Sequence, residues 1–89
     1  SQLLAGKTAI VLGVANKWSI AYAIAEAYRR EGAKLILTYQ GERQKATVED
    51  LGKELGAALV LNCDVTKEEE LQALVEALKG ERLDAVVHS

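Results

Sequence analysis

A chain of 89 residues holds one domain with a thin core, because proteins this small bury little more than about 60% of the surface their unfolded chains expose. Hydrophobic residues at 49% and charged residues at 27% exclude a disordered or membrane-embedded chain, and no run approaches the roughly 18 apolar residues of a membrane span. A net charge of −2 gives no positive field for polyanionic nucleic acid, so a bound anion must be held locally by backbone dipoles, which points to a small phosphate ligand.

Four apolar runs alternate with three amphipathic ones, without linker, repeat or low-complexity stretch. The first run, Thr8-Ala-Ile-Val-Leu12, reads as a strand. A helix is expected to open at Ser19, whose hydroxyl can accept an N–H of the first turn, and to stop at Gly32, which tolerates a left-handed cap. Ile20, Ile24, Ala27 and Tyr28 share one of its faces, and Ala21, Ala23 and Ala25 permit close approach to a sheet. A second strand follows over Lys34–Tyr39 and a second helix over Glu42–Leu55, with Val48, Leu51 and Leu55 in register and Gly56 beyond the end. The third strand spans Ala58–Asn62. Thr66-Lys-Glu-Glu69 forms a capping box for the third helix, whose stripe is Leu71, Leu74, Val75 and Leu78 and whose stop is Gly80. A fourth strand runs over Leu83–His88.

The strands are near-continuously apolar, the pattern of strands covered by helices on both faces. The expected fold is α/β, a Rossmann-type doubly wound parallel sheet in partial form, with four strands in the order 3-2-1-4 and three helices.

The loop from Gly13 to Ala21 lies where such a fold places its phosphate loop. Gly13 supplies a tight turn, small Ala15 lets backbone approach a pyrophosphate, and Ser19 and Ile20 open a helix with free N–H groups and its positive dipole end. The plain alternative is that Ser19 is only an N-cap and Gly13 only a turn. Gln40 and Asp64 fall at the ends of the second and third strands, along the same crevice. Gln40 stands where an NAD enzyme carries Asp or Glu for the adenosine ribose, and its amide can fill that role. Asp64-Val65 is placed to lie beside an adenine, with a simple pre-helix turn as the alternative for Asp64.

Taken together, Gly13…Ser19-Ile-Ala21, Thr38-Tyr-Gln40, Cys63-Asp64-Val65 and Val87-His88-Ser89 resemble the enoyl-acyl-carrier-protein reductases of the short-chain dehydrogenase/reductase superfamily. The resemblance runs through essentially all 89 residues. It implies reduction of a trans-2-enoyl thioester on acyl carrier protein with hydride from NADH or NADPH, and makes Gly13, Ala15, Ser19, Ile20, Gln40, Asp64 and Val65 cofactor contacts, with Ser89 on the nicotinamide side. NADH is expected over NADPH, since Gln40-Gly41-Glu42 gathers no positive charge and Glu42 would repel a 2′-phosphate, with Arg43 as the counterweight. The family's Tyr-x6-Lys pair belongs to the next half of the fold, so residues 1–89 read as the dinucleotide-binding part of a reductase without its catalytic part. Two other readings stay open, a stand-alone or engineered half-Rossmann scaffold and another short-chain dehydrogenase such as a 3-oxoacyl reductase.

The other chemical candidates are weaker. Tyr39 and Lys45, like Tyr28 and Lys34, are separated by five residues rather than six, and Tyr22 has Arg29 seven residues on, so all three tyrosines read as packing residues with a polar tip. His88 has no carboxylate or cysteine spaced as a partner and reads as structural. Cys63 reads as a small core hydrophobe, and Trp18 as a cofactor flank or a cover for the helix start. Glu68, Glu69 and Glu70 point in different directions on a helix, so no metal site is expected. With one cysteine and no charged-then-apolar leader, the expected compartment is the cytoplasm. The apolar fourth strand invites self-association.

Overall fold

The computed structural model describes residues 3–15, 18–64 and 66–88, the last through its backbone alone. Along them run β1 (Thr8–Leu12), α1 (Ile20–Arg30), β2 (Lys34–Tyr39), α2 (Glu42–Leu55), β3 (Leu59–Asn62), α3 (Glu68–Ala77) and β4 (Ala85–His88). The strands pair in parallel in the order β3-β2-β1-β4, the order that strand and helix alternation predicts. Ile10 lies opposite Ile36 on one side and Val86 on the other, and Leu37 lies opposite Val60.

Successive strand residues point to opposite faces, and the two faces gather different helices. Val11, Leu35, Leu37 and Tyr39 pack with Ala21 and Ala25 of α1 and Val48 and Leu51 of α2. Ile10 and Ile36 point the other way, onto Cys63, Leu74 and Leu78 around α3. Small residues let α1 sit close: Ala21 and Ala25 are fully buried. This rotates the helix from the orientation its periodicity suggests, so Ile20, expected on the inner face, is 73% exposed, and Ala23 is exposed with it. α2 approaches β3 so closely that a Cβ on Gly52 would lie 2.5 Å from Val60 Cγ2. That contact explains a glycine in a helix interior, where it is otherwise unfavourable by roughly 0.5–1 kcal/mol.

Cover on both faces holds for the two central strands and not for the edges. Every residue of β2 beyond Lys34 is buried, whereas Leu59 and Asn62 of β3 are exposed and Val86 of β4 is 62% exposed. On the second face α3 reaches the sheet with Leu74 and Leu78, while Leu71 and Val75, expected in the same stripe, remain 40% and 64% exposed.

Two strands start later than their apolar runs. Thr8 N–H donates to Asp84 Oδ2 at 2.9 Å and Asp84 N–H donates to the Thr8 carbonyl at 2.8 Å. This reciprocal latch occupies the position just ahead of β4, which begins at Ala85 rather than Leu83. β3 begins at Leu59 rather than Ala58, whose N–H nevertheless donates to the Leu35 carbonyl at 2.7 Å.

Candidate functional site

Because β1, β2 and β3 run parallel and adjacent, the segments that leave their C-terminal ends emerge along one rim of the sheet. Gly13 follows β1, Gln40 follows β2 and Cys63-Asp64 follows β3. At the ordinary inter-strand spacing, the three exits span about 10 Å.

At the first exit the chain turns at once. Gly13 takes φ 80°, a left-handed conformation that an L side chain resists. Its N–H donates to Thr38 Oγ1 at 3.3 Å, and the next N–H, of Val14, donates to the Thr38 carbonyl at 3.0 Å. Val14 is buried at 1% exposure, and Ala15 is half-buried. Ser19 stands at the N-cap of α1 in extended conformation, and its hydroxyl accepts the Tyr22 N–H at 3.0 Å. The capping role is therefore real. It does not compete with ligand binding, since one bond leaves the other first-turn N–H groups without intrahelical partners and the positive end of the helix in place. Ile20 is exposed at that end, as is Trp18 at 82%.

At the other two exits Gln40 is exposed and Asp64 half-buried. Thr66 donates to Asp64 Oδ1 twice, from its N–H at 2.9 Å and its hydroxyl at 2.6 Å. The Asp64 N–H donates to Glu70 Oε1 at 2.9 Å. The hydroxyl and N–H of Thr66 hold the Asp64 carboxyl below the usual carboxylate range, with Lys67 and the Gln40 side chain adding in the same direction against a smaller effect of burial. Asp64 thus makes the pre-helix turn of the plain alternative and remains an ionised acceptor, with Oδ2 outside that turn.

This arrangement replaces the expected capping box. α3 starts one residue later than the box requires, so Lys67, whose ammonium has no lone pair to accept an N–H, stands at the N-cap without a side-chain cap bond, while Thr66 bonds Asp64 in the preceding turn. Glu70 rather than Glu69 reaches back. Two positioning residues had not been singled out from sequence. Thr38, fully buried, fixes the first loop, and Asn62 Oδ1 accepts the Gly41 N–H at 3.3 Å. Their signal was a polar residue within or ending an apolar strand.

The remaining candidates behave as packing groups. Tyr39 is in the core, with Tyr22 and Tyr28 against it, and burial, then Glu26 and Glu54, raise the Tyr22 phenol, the reverse of activation. Cys63 is 3% exposed among Ile10, Ile36, Leu74 and Leu78. Val65, Ser89 and the side chain of His88 lie outside the described residues. Among the described residues no group of three His, Cys, Asp or Glu side chains is placed to hold a metal, and no helix is long and apolar enough to cross a membrane.

Among the described residues, cavities also lie elsewhere. One, of about 410 Å³, surrounds Lys7, Arg29 and Lys34, by the N-terminal ends of β1 and β2. Another, of about 480 Å³, is an apolar groove between α3 and β4 lined by Leu71, Leu74, Val75 and Val86. Ligands of open α/β sheets bind at the opposite end from the first, and the second is lined mainly by apolar side chains, with Glu76, Lys79 and Glu81 beside them.

A family model described as enoyl-(acyl carrier protein) reductase matches residues 13–89. The chain is 44% identical over 88 residues to the NADH enoyl-[acyl-carrier-protein] reductase FabI of Salmonella typhimurium, covering 97% of this chain and 34% of that protein. It is 51% identical over 82 residues to the FabI of Bacillus cereus, covering 90% and 32%. Among solved structures, an enoyl-(acyl-carrier-protein) reductase from Anaplasma phagocytophilum in complex with NAD superposes with a TM-score of 0.91 at 38% identity, over 97% of this chain and 34% of that one. The Bacillus cereus reductase with NADP+ and indole naphthyridinone gives 0.90 at 48%, over 97% and 35%. The chain therefore spans about a third of the length of these relatives.

Proposed function

The chain belongs to the enoyl-(acyl carrier protein) reductase family, and from that premise we propose that it holds the adenosine and pyrophosphate portions of NADH for such a reductase. The observation that carries this reading is the line of Gly13, Gln40 and Asp64 at the ends of three adjacent parallel strands, with the Ser19-capped start of α1 beside the first. Gly13 and Ala15 bring backbone to the pyrophosphate, Ser19 and Ile20 present the helix start to it, Gln40 takes the adenosine ribose, and Asp64 with Val65 flanks the adenine. Ser89, outside the described residues, is assigned to the nicotinamide side by the family resemblance alone. NADH is favoured over NADPH because Glu42, exposed at the first turn of α2, repels a 2′-phosphate, and Arg43 is the neighbouring cation that could offset it.

The reaction of the whole protein is then hydride transfer to a trans-2-enoyl thioester carried on acyl carrier protein. It needs an acid that stabilises charge at the thioester oxygen as the hydride arrives. We place that tyrosine–lysine pair outside residues 1–89, since the tyrosines here serve the core. In residues 1–89 taken alone, β4 ends the sheet β3-β2-β1-β4, so this piece is expected to pair with a second copy, and the expected compartment is the cytoplasm.

The test is a titration of the chain with NADH and with NADPH, followed through backbone amide shifts. NADH is expected to move Gly13, Ser19, Gln40 and Asp64, weakly but saturably, and more tightly than NADPH. Shifts confined to the Lys7, Arg29 and Lys34 cavity would overturn the assignment. Steady NADH oxidation with a short enoyl thioester, surviving repurification, would refute the claim that the catalytic pair lies elsewhere.

A further inference from the structure

We propose that Thr66 and Glu70 are positioning residues for Asp64, setting its carboxylate in advance as an acceptor for the 6-amino group of adenine and so turning the site against 6-oxo purines. The inference rests on the dinucleotide reading above.

Asp64 is held by its side chain, through Thr66 with the Gln40 side chain adding a bond, and by its backbone, through Glu70 and through the Lys67 N–H, which donates to the Asp64 carbonyl at 2.9 Å. Thr66 donates its N–H and its hydroxyl to Oδ1, at 2.9 and 2.6 Å. Glu70, in the first turn of α3, accepts the Asp64 N–H on Oε1 at 2.9 Å, and its other oxygen pairs with Lys67 Nζ at 3.6 Å. One residue earlier the chain is tied twice more. Cys63 Sγ lies 3.7 Å from the Glu70 carbonyl, and the Cys63 N–H donates to the Tyr39 carbonyl at 2.8 Å. With its backbone held by α3 and β2 and one carboxylate oxygen held by Thr66, Asp64 is ordered before a ligand arrives, which removes that ordering cost from binding.

The two Thr66 bonds also hold the carboxyl below its ordinary range and so ionised, and an ionised carboxylate offers acceptors only. Adenine meets it with an amino donor. Hypoxanthine meets it with a carbonyl oxygen, and two facing acceptors leave both groups unsatisfied. Thr66 and Glu70 act through Asp64, so their loss should change the choice between bases more than it changes the fold.

The test titrates this chain with NADH and with reduced nicotinamide hypoxanthine dinucleotide, read from the Gln40 and Asp64 amides. The unmodified chain is expected to favour NADH on the order of tenfold, the size of one unmade hydrogen bond. Thr66→Val and Glu70→Leu should each cut that preference severalfold, mainly by weakening NADH. Glu70→Gln should keep it, because its amide oxygen still accepts the Asp64 N–H. The Asp64 carboxyl, titrated by NMR without ligand, should move up in Thr66→Val, which a general loss of helix stability would not produce. Thr66 is exposed, so its variant folds even where Glu70→Leu does not. A preference unchanged in both Thr66→Val and Glu70→Leu overturns the positioning role and leaves the dinucleotide reading standing. Amides that move with neither nucleotide overturn both.

Discussion

The buried hydroxyl of Thr38 accepts the Gly13 amide at 3.3 Å while the Thr38 carbonyl accepts the Val14 amide at 3.0 Å. One residue of β2 thus fixes two successive N–H groups of the loop that leaves β1. Thr38→Val preserves the shape of the side chain and strands the Gly13 N–H, so a loss of about 1–2 kcal/mol is expected in urea denaturation. Thr38→Ser should lose less, and amide exchange at Gly13 should quicken only in the valine variant. An unchanged denaturation midpoint in Thr38→Val would remove this residue from the account of the loop.

Ser19→Ala removes the bond to the Tyr22 amide and should cost about 1 kcal/mol of stability, whereas Ser19→Gly should cost only a few tenths. NADH affinity should fall as well, the combined effect reaching roughly 1–2 kcal/mol. Thermal melting and a cofactor titration, run well below the melting temperature, separate the two parts. A lower melting temperature with unchanged affinity would mean that Ser19 is a cap and nothing more.

Asp64 and Cys63 give opposite pH dependences. The Asp64 carboxyl lies below its ordinary value because of Thr66, so its contribution to stability is present above the ordinary carboxylate value and is lost as pH falls through the lowered one. Denaturation from neutral to acid pH should therefore show a steeper loss in the unmodified chain than in Thr66→Val. Burial, then Glu70 and Asp64, push the Cys63 thiol up. Its contribution is present below the ordinary thiol value and lost as pH rises through the raised one. Alkylation of Cys63 should be slow at neutral pH and accelerate in denaturant. Rapid alkylation of the folded chain would contradict a buried thiol.

Gly52→Ala places a methyl group 2.5 Å from Val60 Cγ2, too close for the intrinsic helix gain of alanine to compensate. A net destabilisation of about 1–3 kcal/mol is expected. Shortening the neighbour at the same time, as Gly52→Ala with Val60→Ala, should recover part of it, and additive losses in the double variant would show that the two sites do not meet.

Val86 is 62% exposed on β4, and the proposed pairing of residues 1–89 with a second copy is tested there. Val86→Lys is expected to shift sedimentation towards the monomer without lowering stability, since an edge lysine blunts strand pairing. A monomeric unmodified chain would end that expectation.

Strand order and helix number were legible because apolar runs and glycine stops recur in strict alternation, and that pattern has few topological solutions. Boundaries and orientations were less so, and each departure has a local cause. The Asp84 latch takes the residues before β4, two small alanines turn Ile20 outward, and α3 starts one residue late, leaving Thr66 in the turn with Asp64. At the candidate site, the exits of three strands were readable from spacing. The support from Thr38 and Asn62 was not, because a hydrogen bond between strands depends on register, which no single strand encodes.

The place of β4 in the sheet bears on how the chain acquires its structure during synthesis. β1 is synthesised before β4, yet one of its two edges is completed only by that strand, and the latch that closes the pair joins Thr8 to Asp84 across a sequence separation of 76. Until then a half-satisfied central strand must wait, with its open edge available to other nascent chains. Closing so long a loop adds an entropic barrier that local helix formation cannot relieve. Cooperative folding of this sheet accordingly waits for β4, and its vulnerable interval is the time between emergence of β1 and emergence of β4.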